Sequence, residues 1–203
     1  MNVAIIDYGA GNVPSVERAL HRLGSPSFRA ATPDCLAAAE ALILPGVGHY
    51  AALIRALDER QLRTPLLQRI ERGVPFLGIC LGLQALYASS EEAPDLSGLA
   101  LLPGRVAALP FSVKLPHMGW NQLRITKPSR LLTHISPDAY FYFAHSYAAP
   151  ASAKTDGCVA TCTHGAEFVA ILEHRNIHAV QFHPEKSGPA GAQLLKNFLS
   201  PLT

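Results

Sequence analysis

The 203-residue chain has few charged residues and no long apolar run. Charged side chains make up 16% of it, whereas hydrophobic residues make up 49%. An average soluble domain is about 25% charged, so we expect another chain to cover some apolar surface. No apolar stretch reaches the roughly 18 residues of a membrane span, and the first residues do not form the basic segment of a signal peptide. We therefore expect a cytoplasmic protein that does not associate with membranes.

Cysteine is scarce, and no block of like charge stands out. Four cysteines are too few for a disulfide framework at this length. Lys and Arg number 17 against 15 acidic residues, for a net charge of +2. This balance gives no indication of a nucleic-acid partner.

Two motifs suggest a metal or a cofactor, but neither meets the requirements of such a site. Cys158 and Cys162 would lie roughly 13 Å apart along one strand. That separation is too large for a single zinc ion with sulfur bonds of about 2.3 Å. Gly9 and Gly11 resemble the start of a dinucleotide fingerprint, but Pro14 stands where the third glycine is needed. We predict no metal site and no cofactor.

Strand-like and helical segments alternate in the first half of the chain. Apolar strand-like runs lie at 3–7, 41–44 and 76–79, and helical runs at 14–23, 50–72 and 81–88. Runs without polar alternation are typical of a parallel sheet covered on both faces. The second half has strand-like runs at 140–144, 157–163, 167–173 and 177–182, then a helix at 191–199. We predict an α/β fold in one domain over 1–203: a largely parallel sheet flanked by helices, with additional antiparallel strands in the C-terminal half.

Cys80 is the main candidate for a reactive residue. It ends an apolar strand and has Gly78 and Gly82 two positions to either side, a pattern typical of a nucleophile elbow. The backbone N–H groups and the dipole of the following helix would favour a thiolate. The alternative is a buried structural cysteine at a strand-to-helix junction.

A second candidate site is the segment around His183 and Glu185. In an extended segment, side chains two residues apart leave the same face, and Pro184 would stiffen the piece between them. The pair could then act as a base and the group that orients it, with Cys80 as the nucleophile. The alternative is a strand-end histidine, a surface glutamate and a turn proline.

The glycine-containing loop at 44–48 follows another apolar strand. A backbone N–H of this loop, together with the N–H of Leu81, could bind a tetrahedral oxyanion. The alternative is an ordinary tight turn between a strand and a helix.

Several segments together resemble one protein family, the triad-type (class I) glutamine amidotransferases, and within it the glutaminase subunits of imidazole glycerol phosphate synthase. The resemblance covers nearly the whole chain and is carried by residues 5–12, 44–48, 114–121, 143–147 and 181–187. Its most specific motif is Pro-His-Met-Gly-Trp-Asn at 116–121. The resemblance implies hydrolysis of L-glutamine to glutamate and ammonia, and transfer of the ammonia to a cyclase.

The resemblance also implies a role for each matching residue. The catalytic triad would be Cys80, His183 and Glu185, and the oxyanion donors would be Val47 and Leu81. The residues that hold glutamine would be Gln84, Glu92, His145, Ser146 and Tyr147. The residues that face the cyclase would be Asn12, Met118, Trp120, Asn121, Tyr142 and Lys186. In this family the cyclase is a (β/α)8 barrel that forms a heterodimer with the glutaminase and conducts ammonia through its centre. The glutaminase stays nearly silent until the cyclase binds its nucleotide ligand.

Several alternatives stay open on sequence alone. Gly119 and Asn121 favour a loop around Trp120, although a core tryptophan would also fit. His49 stands where a small residue is more usual in the family. It could place a titratable group near the oxyanion loop, or it could simply be an exposed residue in the first turn of a helix. Rival functions are a thiol hydrolase or esterase, a non-catalytic binding subunit, and a glutaminase that serves a synthase of folate, tryptophan or pyridoxal phosphate production.

Overall fold

A computed structural model describes residues 2–151 and 157–200 as an eight-stranded sheet with helices on both faces and two smaller sheets. The strands are β1 (Val3–Ile6), β2 (Ser27–Ala30), β3 (Ala41–Gly46), β4 (Phe76–Cys80), β5 (Tyr87–Ser90), β6 (Leu102–Ala108), β7 (His117–Gln122), β8 (Arg124–Ile125), β9 (Tyr140–His145), β10 (Tyr147–Ala148), β11 (Cys158–His164), β12 (Ala166–His174) and β13 (Ile177–Val180). The α-helices are α1 (Val13–Arg22), α2 (Pro33–Ala37), α3 (Tyr50–Glu59), α4 (Arg63–Glu71), α5 (Leu81–Gln84) and α6 (Gly188–Leu199). Short 3-10 helices lie at Arg130–Leu132 and Pro184–Lys186.

The large sheet has a parallel half and an antiparallel half. Its strand order is β2-β1-β3-β4-β13-β12-β11-β8. Neighbours from β2 to β13 run parallel, whereas β13, β12, β11 and β8 pair antiparallel. Every residue of β1, β3, β4 and β13 is buried, which explains their unalternated apolar sequences. The predicted fold class is confirmed.

The core lies in two layers, one on each face of the large sheet. Alternate residues of one strand point to opposite faces, so Ile6 joins one cluster and Ile5 the other. On the first face, α3 and α4 bury leucines and isoleucines such as Leu53. On the second face, α1 and α6 do the same with residues such as Leu20 and Leu194. The sheet is therefore held rigidly between two apolar layers, which fixes where its strand ends lie.

The predicted helix at 81–88 is wrong in its second half. Helix α5 ends at Gln84, and the chain then enters β5, which pairs in parallel with β6. Leu86 and Tyr87 are buried, as they would be in a helix as well. Pairing with β6 decides the outcome, and that partner lies too far along the chain for a local pattern to indicate it.

The predicted loop around Trp120 is also wrong. Residues 117–122 form β7, which pairs antiparallel with β9 and places Trp120 opposite Tyr142. Trp120 is 55% exposed and is therefore not a core tryptophan. Exposed residues alternate with less exposed ones along β7, and Trp120 lies on the exposed face together with Met118 and Gln122.

Candidate active site

The carboxyl ends of three neighbouring parallel strands meet at one edge of the large sheet. Strands β3, β4 and β13 end there, and they are followed by Val47, Leu81 and Gln181. Ligand sites of open α/β sheets form at such an edge. A cavity of about 320 Å³ opens at this place. Its walls include Val47, Gly48, Cys80, Leu81, Gln84, Glu92, Pro116, Ala144, His145, Ser146, Tyr147, His183 and Lys186.

The predicted elbow at Cys80 is present in the backbone. Cys80 has φ 54° and ψ −106°, a backbone conformation that residues other than glycine rarely adopt. A Cβ atom on Gly78 would lie 2.7 Å from the Gly82 carbonyl oxygen, and one on Gly82 would lie 2.0 Å from the Leu44 carbonyl oxygen. The two flanking glycines are therefore required by close backbone approach. The bend directs the Cys80 sulfur into the cavity, where the residue is 5% exposed.

His183 and Glu185 form a buried hydrogen-bonded pair. His183 Nδ1 lies 2.9 Å from Glu185 Oε1, and the two side chains are 3% and 2% exposed. The predicted extended geometry is wrong, because Pro184–Lys186 form a 3-10 helix and that tight turn brings the carboxylate back to the ring. The pair forms as expected, but a turn forms it.

The ring of His183 also contacts Cys80. Burial disfavours its protonated form, but the hydrogen bonds with Cys80 and Glu185 outweigh burial and raise the pKa of His183 to about 10. With Nδ1 bonded to the carboxylate, Nε2 is the ring nitrogen left for Cys80. This arrangement can pass a proton between sulfur and a leaving group through a ring of fixed orientation.

Gln181 is a further contact of the Cys80 sulfur, and no sequence signal predicted a role for it. Its Nε2 lies 3.6 Å from the Cys80 sulfur. Gln181 and His183 both reach this sulfur, while Phe182 between them packs in the core against Phe141. The rule of side chains two residues apart was thus a valid signal, but it applies to 181 and 183 rather than to 183 and 185.

The candidate oxyanion donors, Val47 and Leu81, line the same cavity as Cys80. Leu81 opens α5, and the first N–H groups of a helix have no partner within it. Val47 follows β3 and lines the same cavity. The two segments approach closely, since a Cβ on Gly46 would lie 2.5 Å from Leu81 Cβ. Buried Tyr8, which no sequence signal singled out, adjoins the Val47 backbone; burial raises the pKa of its phenol to about 12, and the Val47 backbone partly offsets this.

All five candidate glutamine contacts line the cavity. The Tyr147 carbonyl bonds with Gln84 Nε2 at 2.7 Å and with His145 Nδ1 at 2.9 Å. Glu92 Oε2 accepts the backbone N–H of Tyr50 at 2.9 Å, so this carboxylate also caps the start of α3. His49 is the N-cap residue of α3, and its Nδ1 accepts the Ala51 N–H at 3.1 Å. The exposed His49 thus has a structural role at a helix end.

Comparison with known proteins agrees with this geometry. A family model described as glutamine amidotransferase class-I matches residues 4–202. The chain belongs to this family. It is 50% identical over 197 residues to the imidazole glycerol phosphate synthase subunit HisH of Methanothermobacter thermautotrophicus, covering 97% of each chain. It is 47% identical over 196 residues to that subunit of Desulfitobacterium hafniense strain Y51, covering 97% of this chain and 92% of the relative.

Two further comparisons concern a longer relative and the fold. The chain is 43% identical over 202 residues to imidazole glycerol phosphate synthase hisHF, chloroplastic, of Arabidopsis thaliana, covering 98% of this chain but 34% of that protein. A solved structure named PurLQS from Thermotoga maritima shares the fold, with a TM-score of 0.78 and 18% identity over 98% of this chain and 97% of that chain. The identification of this enzyme as a glutamine amidotransferase is confirmed.

Two of the six candidate partner-facing residues of this amidotransferase, Trp120 and Lys186, contact a third, Tyr142. Met118 and Trp120 are 65% and 55% exposed on β7. The ring of Trp120 meets that of Tyr142 at a 6.0 Å centroid distance, and Lys186 Nζ lies 5.7 Å from the Tyr142 centroid. Asn121, by contrast, donates its side-chain amide to the Thr163 carbonyl at 3.2 Å. Asn12 lies before α1 with φ 55°.

A row of histidines links β7 to the cavity. His117 Nδ1 lies 3.1 Å from His145 Nε2, and the His117 ring stacks on His164 at a centroid distance of 4.2 Å. Burial lowers the pKa of His145 to about 3. Burial, together with the neighbouring His164, lowers the pKa of His117 to about 4. His117 and His145 are therefore neutral at physiological pH.

This row predicts an acid-dependent loss of stability. An unfolded histidine binds a proton near pH 6.5, whereas folded His117 and His145 do so only at about 4 and about 3. The unfolded chain thus binds more protons between these values, and the melting temperature is expected to fall as pH drops from about 6.5 to about 4. The raised pKa of His183 acts in the window above pH 6.5 and does not oppose this trend. Differential scanning calorimetry at several pH values measures the slope.

The matched variants are His117→Gln and His21→Gln. His117→Gln is expected to flatten the acid slope, although buried His178, whose pKa is also lowered by burial, retains part of it. Exposed His21 on α1 has no part in the row, so His21→Gln should keep the wild-type slope. An unchanged slope in His117→Gln would contradict the assignment to the row.

Neither a metal site nor a membrane span is found in the described parts of the chain. Within residues 2–151 and 157–200, no three His, Cys, Asp or Glu side chains are grouped so that they could hold a metal ion. Among the described helices, none combines the length and apolar character needed to cross a membrane.

Proposed function

We propose that this chain hydrolyses L-glutamine through Cys80, His183 and Glu185 and delivers the ammonia to a cyclase chain. The cyclase would be a (β/α)8 barrel, bound as a heterodimer, that forms imidazole glycerol phosphate and AICAR in histidine biosynthesis. The observation that carries the proposal is the single cavity in which the nucleophile, its base and all five candidate glutamine contacts meet.

The groups placed around the Cys80 sulfur are suited to an acyl-transfer reaction. The Cys80 thiolate attacks the side-chain amide carbon of glutamine, and the N–H groups of Val47 and Leu81 bind the oxygen that becomes negative. His183 then protonates the departing ammonia. Water hydrolyses the glutamyl thioester with His183 as the base, while Glu185 holds the ring in orientation.

The lining of the cavity fits the two ends of glutamine. Glu92 offers a carboxylate that can bind the α-ammonium group while it caps α3. Both Nε2 hydrogens of Gln84 are directed to protein acceptors, so its Oε1 is the atom left to accept a bond from substrate. Gln84 therefore contacts glutamine as an acceptor in this proposal.

A cyclase partner is supported by the relatives and by the exposed surface of β7. Two relatives are named as subunits of imidazole glycerol phosphate synthase, and the Arabidopsis relative is nearly three times as long as the matched region. The proposed cyclase partner would supply the remaining activity. The cluster of exposed Met118 and Trp120 with half-buried Tyr142 has the aromatic character of an interface anchor.

Glutamate release from L-glutamine tests the proposal. The purified chain is assayed alone and then mixed with the cyclase and its nucleotide ligand. A large rise on mixing is expected. A high rate alone that does not respond to the cyclase would leave a glutaminase but contradict the assigned partner. Activity in neither assay would contradict the catalytic assignment, and hydrolysis of thiol-reactive esters instead would favour the rival hydrolase.

The same assay tests the partner surface. Trp120→Ala is expected to raise the cyclase concentration needed for half-maximal activation by at least about tenfold, since exposed aromatic anchors dominate binding energy. Ile125→Ala is the matched control, because Ile125 is 42% exposed on the edge strand β8. Equal effects of the two variants would contradict a surface centred on β7.

A further inference from the structure

Gln181 is the one side chain besides His183 whose polar atom reaches the Cys80 sulfur among the described hydrogen bonds. Its Nε2 to sulfur distance is 3.6 Å, within the range of a bond to this large acceptor. Gln181 is fully buried. A neutral amide in such a place is held by its hydrogen bonds, and one of them ends at the nucleophile.

Gln84 fixes which end of the Gln181 amide faces the sulfur. Gln84 Nε2 donates to Gln181 Oε1 at 3.2 Å and to the Tyr147 carbonyl at 2.7 Å. If the Gln181 amide were reversed, its NH2 group would face the Gln84 NH2 group, which is a repulsive contact between two donors. Its oxygen would face the sulfur and would repel a Cys80 thiolate. The Gln84 amide thus orients the Gln181 amide so that the Gln181 NH2 group faces Cys80.

The Tyr147 carbonyl, which accepts the hydrogen bond from Gln84, is itself held in place. Tyr147 O also bonds with His145 Nδ1 at 2.9 Å, and His145 Nε2 meets His117 Nδ1 at 3.1 Å. The Gln84 amide is therefore bonded to a fixed carbonyl in the wall of the cavity. This support makes the donor at the sulfur preorganised, so it does not need to reorient during the reaction.

We propose that Gln181 is a catalytic residue whose side-chain N–H stabilises the Cys80 thiolate, and that Gln84 is the positioning residue that orients it. The thiolate forms twice if the proposed glutaminase function holds. It is present before attack, and it forms again when water has added to the thioester carbonyl and the carbon–sulfur bond breaks. In that second step the bonding electron pair goes to sulfur, the proton of the water goes to His183, and the Gln181 N–H meets the new charge. A hydrogen bond to a charged acceptor in a buried site is stronger than a neutral one.

Alkylation of Cys80 by iodoacetamide tests the first part without glutamine. The thiolate is the reactive form, so the rate at mildly acidic pH reports how readily it forms. Because Cys35, Cys158 and Cys162 are also free thiols, modification is followed by mass spectrometry on the peptide that contains Cys80. Gln181→Met keeps the bulk but removes the donor, and we expect about a tenfold lower rate at about pH 6 with convergence at alkaline pH. Gln181→Glu replaces the donor by acceptors and is expected to lower the acidic rate at least as much.

The matched control is Gln193→Met on α6, where the amide bonds to Asn197 Oδ1 at 2.8 Å. It should keep the wild-type alkylation profile. Wild-type profiles in folded Gln181→Met and Gln181→Glu would overturn the proposal. If neither Gln181 variant folds, Gln84→Met is the deciding variant. We expect it to lower the alkylation rate of Cys80 at about pH 6, and a wild-type rate would overturn the proposal that Gln84 orients a donor towards the sulfur.

Glutamate release in the cyclase mixture separates this proposal from the proposed function. A lower kcat with KM little changed is expected for Gln181→Met, because its N–H acts on the reacting sulfur rather than on bound glutamine. A raised KM with unchanged kcat and unchanged alkylation would instead assign Gln181 to substrate binding and overturn its role at the sulfur. Failure of the wild-type chain to hydrolyse glutamine would count against the proposed function and would leave the alkylation result standing.

Discussion

Cys80→Ala is expected to lower glutamine hydrolysis by at least about 10⁴-fold while leaving synthesis from added ammonium salts intact when the cyclase is present. The sulfur is the atom that forms the acyl bond in the proposed mechanism, and the methyl group of an alanine side chain cannot take over that role. The cyclase reaction with free ammonia does not need that bond. The measurements are glutamate release and ammonia-dependent product formation in the same mixture.

Cys35→Ala is the matched control for this prediction. Cys35 is a free, half-buried cysteine on α2, and α2 lies outside the cavity wall. Its removal should keep both activities. If Cys80→Ala lost the ammonia-supported reaction as well, Cys80 would be a structural residue, as the alternative interpretation of the sequence has it.

Gly82→Ala is expected to damage both stability and activity. The new Cβ would lie 2.0 Å from the Leu44 carbonyl oxygen, so α5 would have to move away from β3. Forced overpacking of this kind costs about 3 kcal/mol of the free energy of unfolding. The same movement would shift Cys80 and the Leu81 N–H, and a displacement of about 1 Å in an active site costs about 100-fold in rate. Urea denaturation and glutamate release measure the two effects.

Gly24→Ala separates the steric clash from backbone strain. Gly24 has φ +70°, and a Cβ there would meet no described atom within 4 Å. Its cost should be limited to the roughly 1–2 kcal/mol of a left-handed residue, with wild-type activity. Equal stability losses in Gly82→Ala and Gly24→Ala would show that close approach to β3 does not limit this position.

Local sequence patterns were sufficient where the structure is locally determined. Apolar runs predicted four of the five strands in the parallel half of the large sheet, because a strand covered on both faces has no polar side. The fifth, β2, was missed, and it is not buried along its whole length. The glycines around Cys80 predicted the elbow, because they are the residues the bend can accept. The end of α5 at Gln84 was missed, because β5 forms only by pairing with the distant β6.

The candidate site was predicted better in its members than in its geometry. His183 and Glu185 form the expected pair, but a 3-10 turn at Pro184 joins them instead of an extended segment. Gln181 was overlooked because the residues that it contacts, Gln84 and Cys80, are remote from it in sequence. The role of His49 at the start of α3 was likewise undetermined until the position of the helix was known.

The pairing of β4 with β13 has a consequence for synthesis on the ribosome. A chain is made from its N-terminus, so β4 with Cys80 emerges well before β13 and the residues that follow it. Until β13 pairs, Cys80 lacks its contacts with Gln181 and His183, and β4 presents an open edge on the side that β13 will occupy. A growing chain therefore lacks the contacts around Cys80 on which the proposed glutamine hydrolysis depends, and its β4 stays open to association with other nascent chains until β13 inserts.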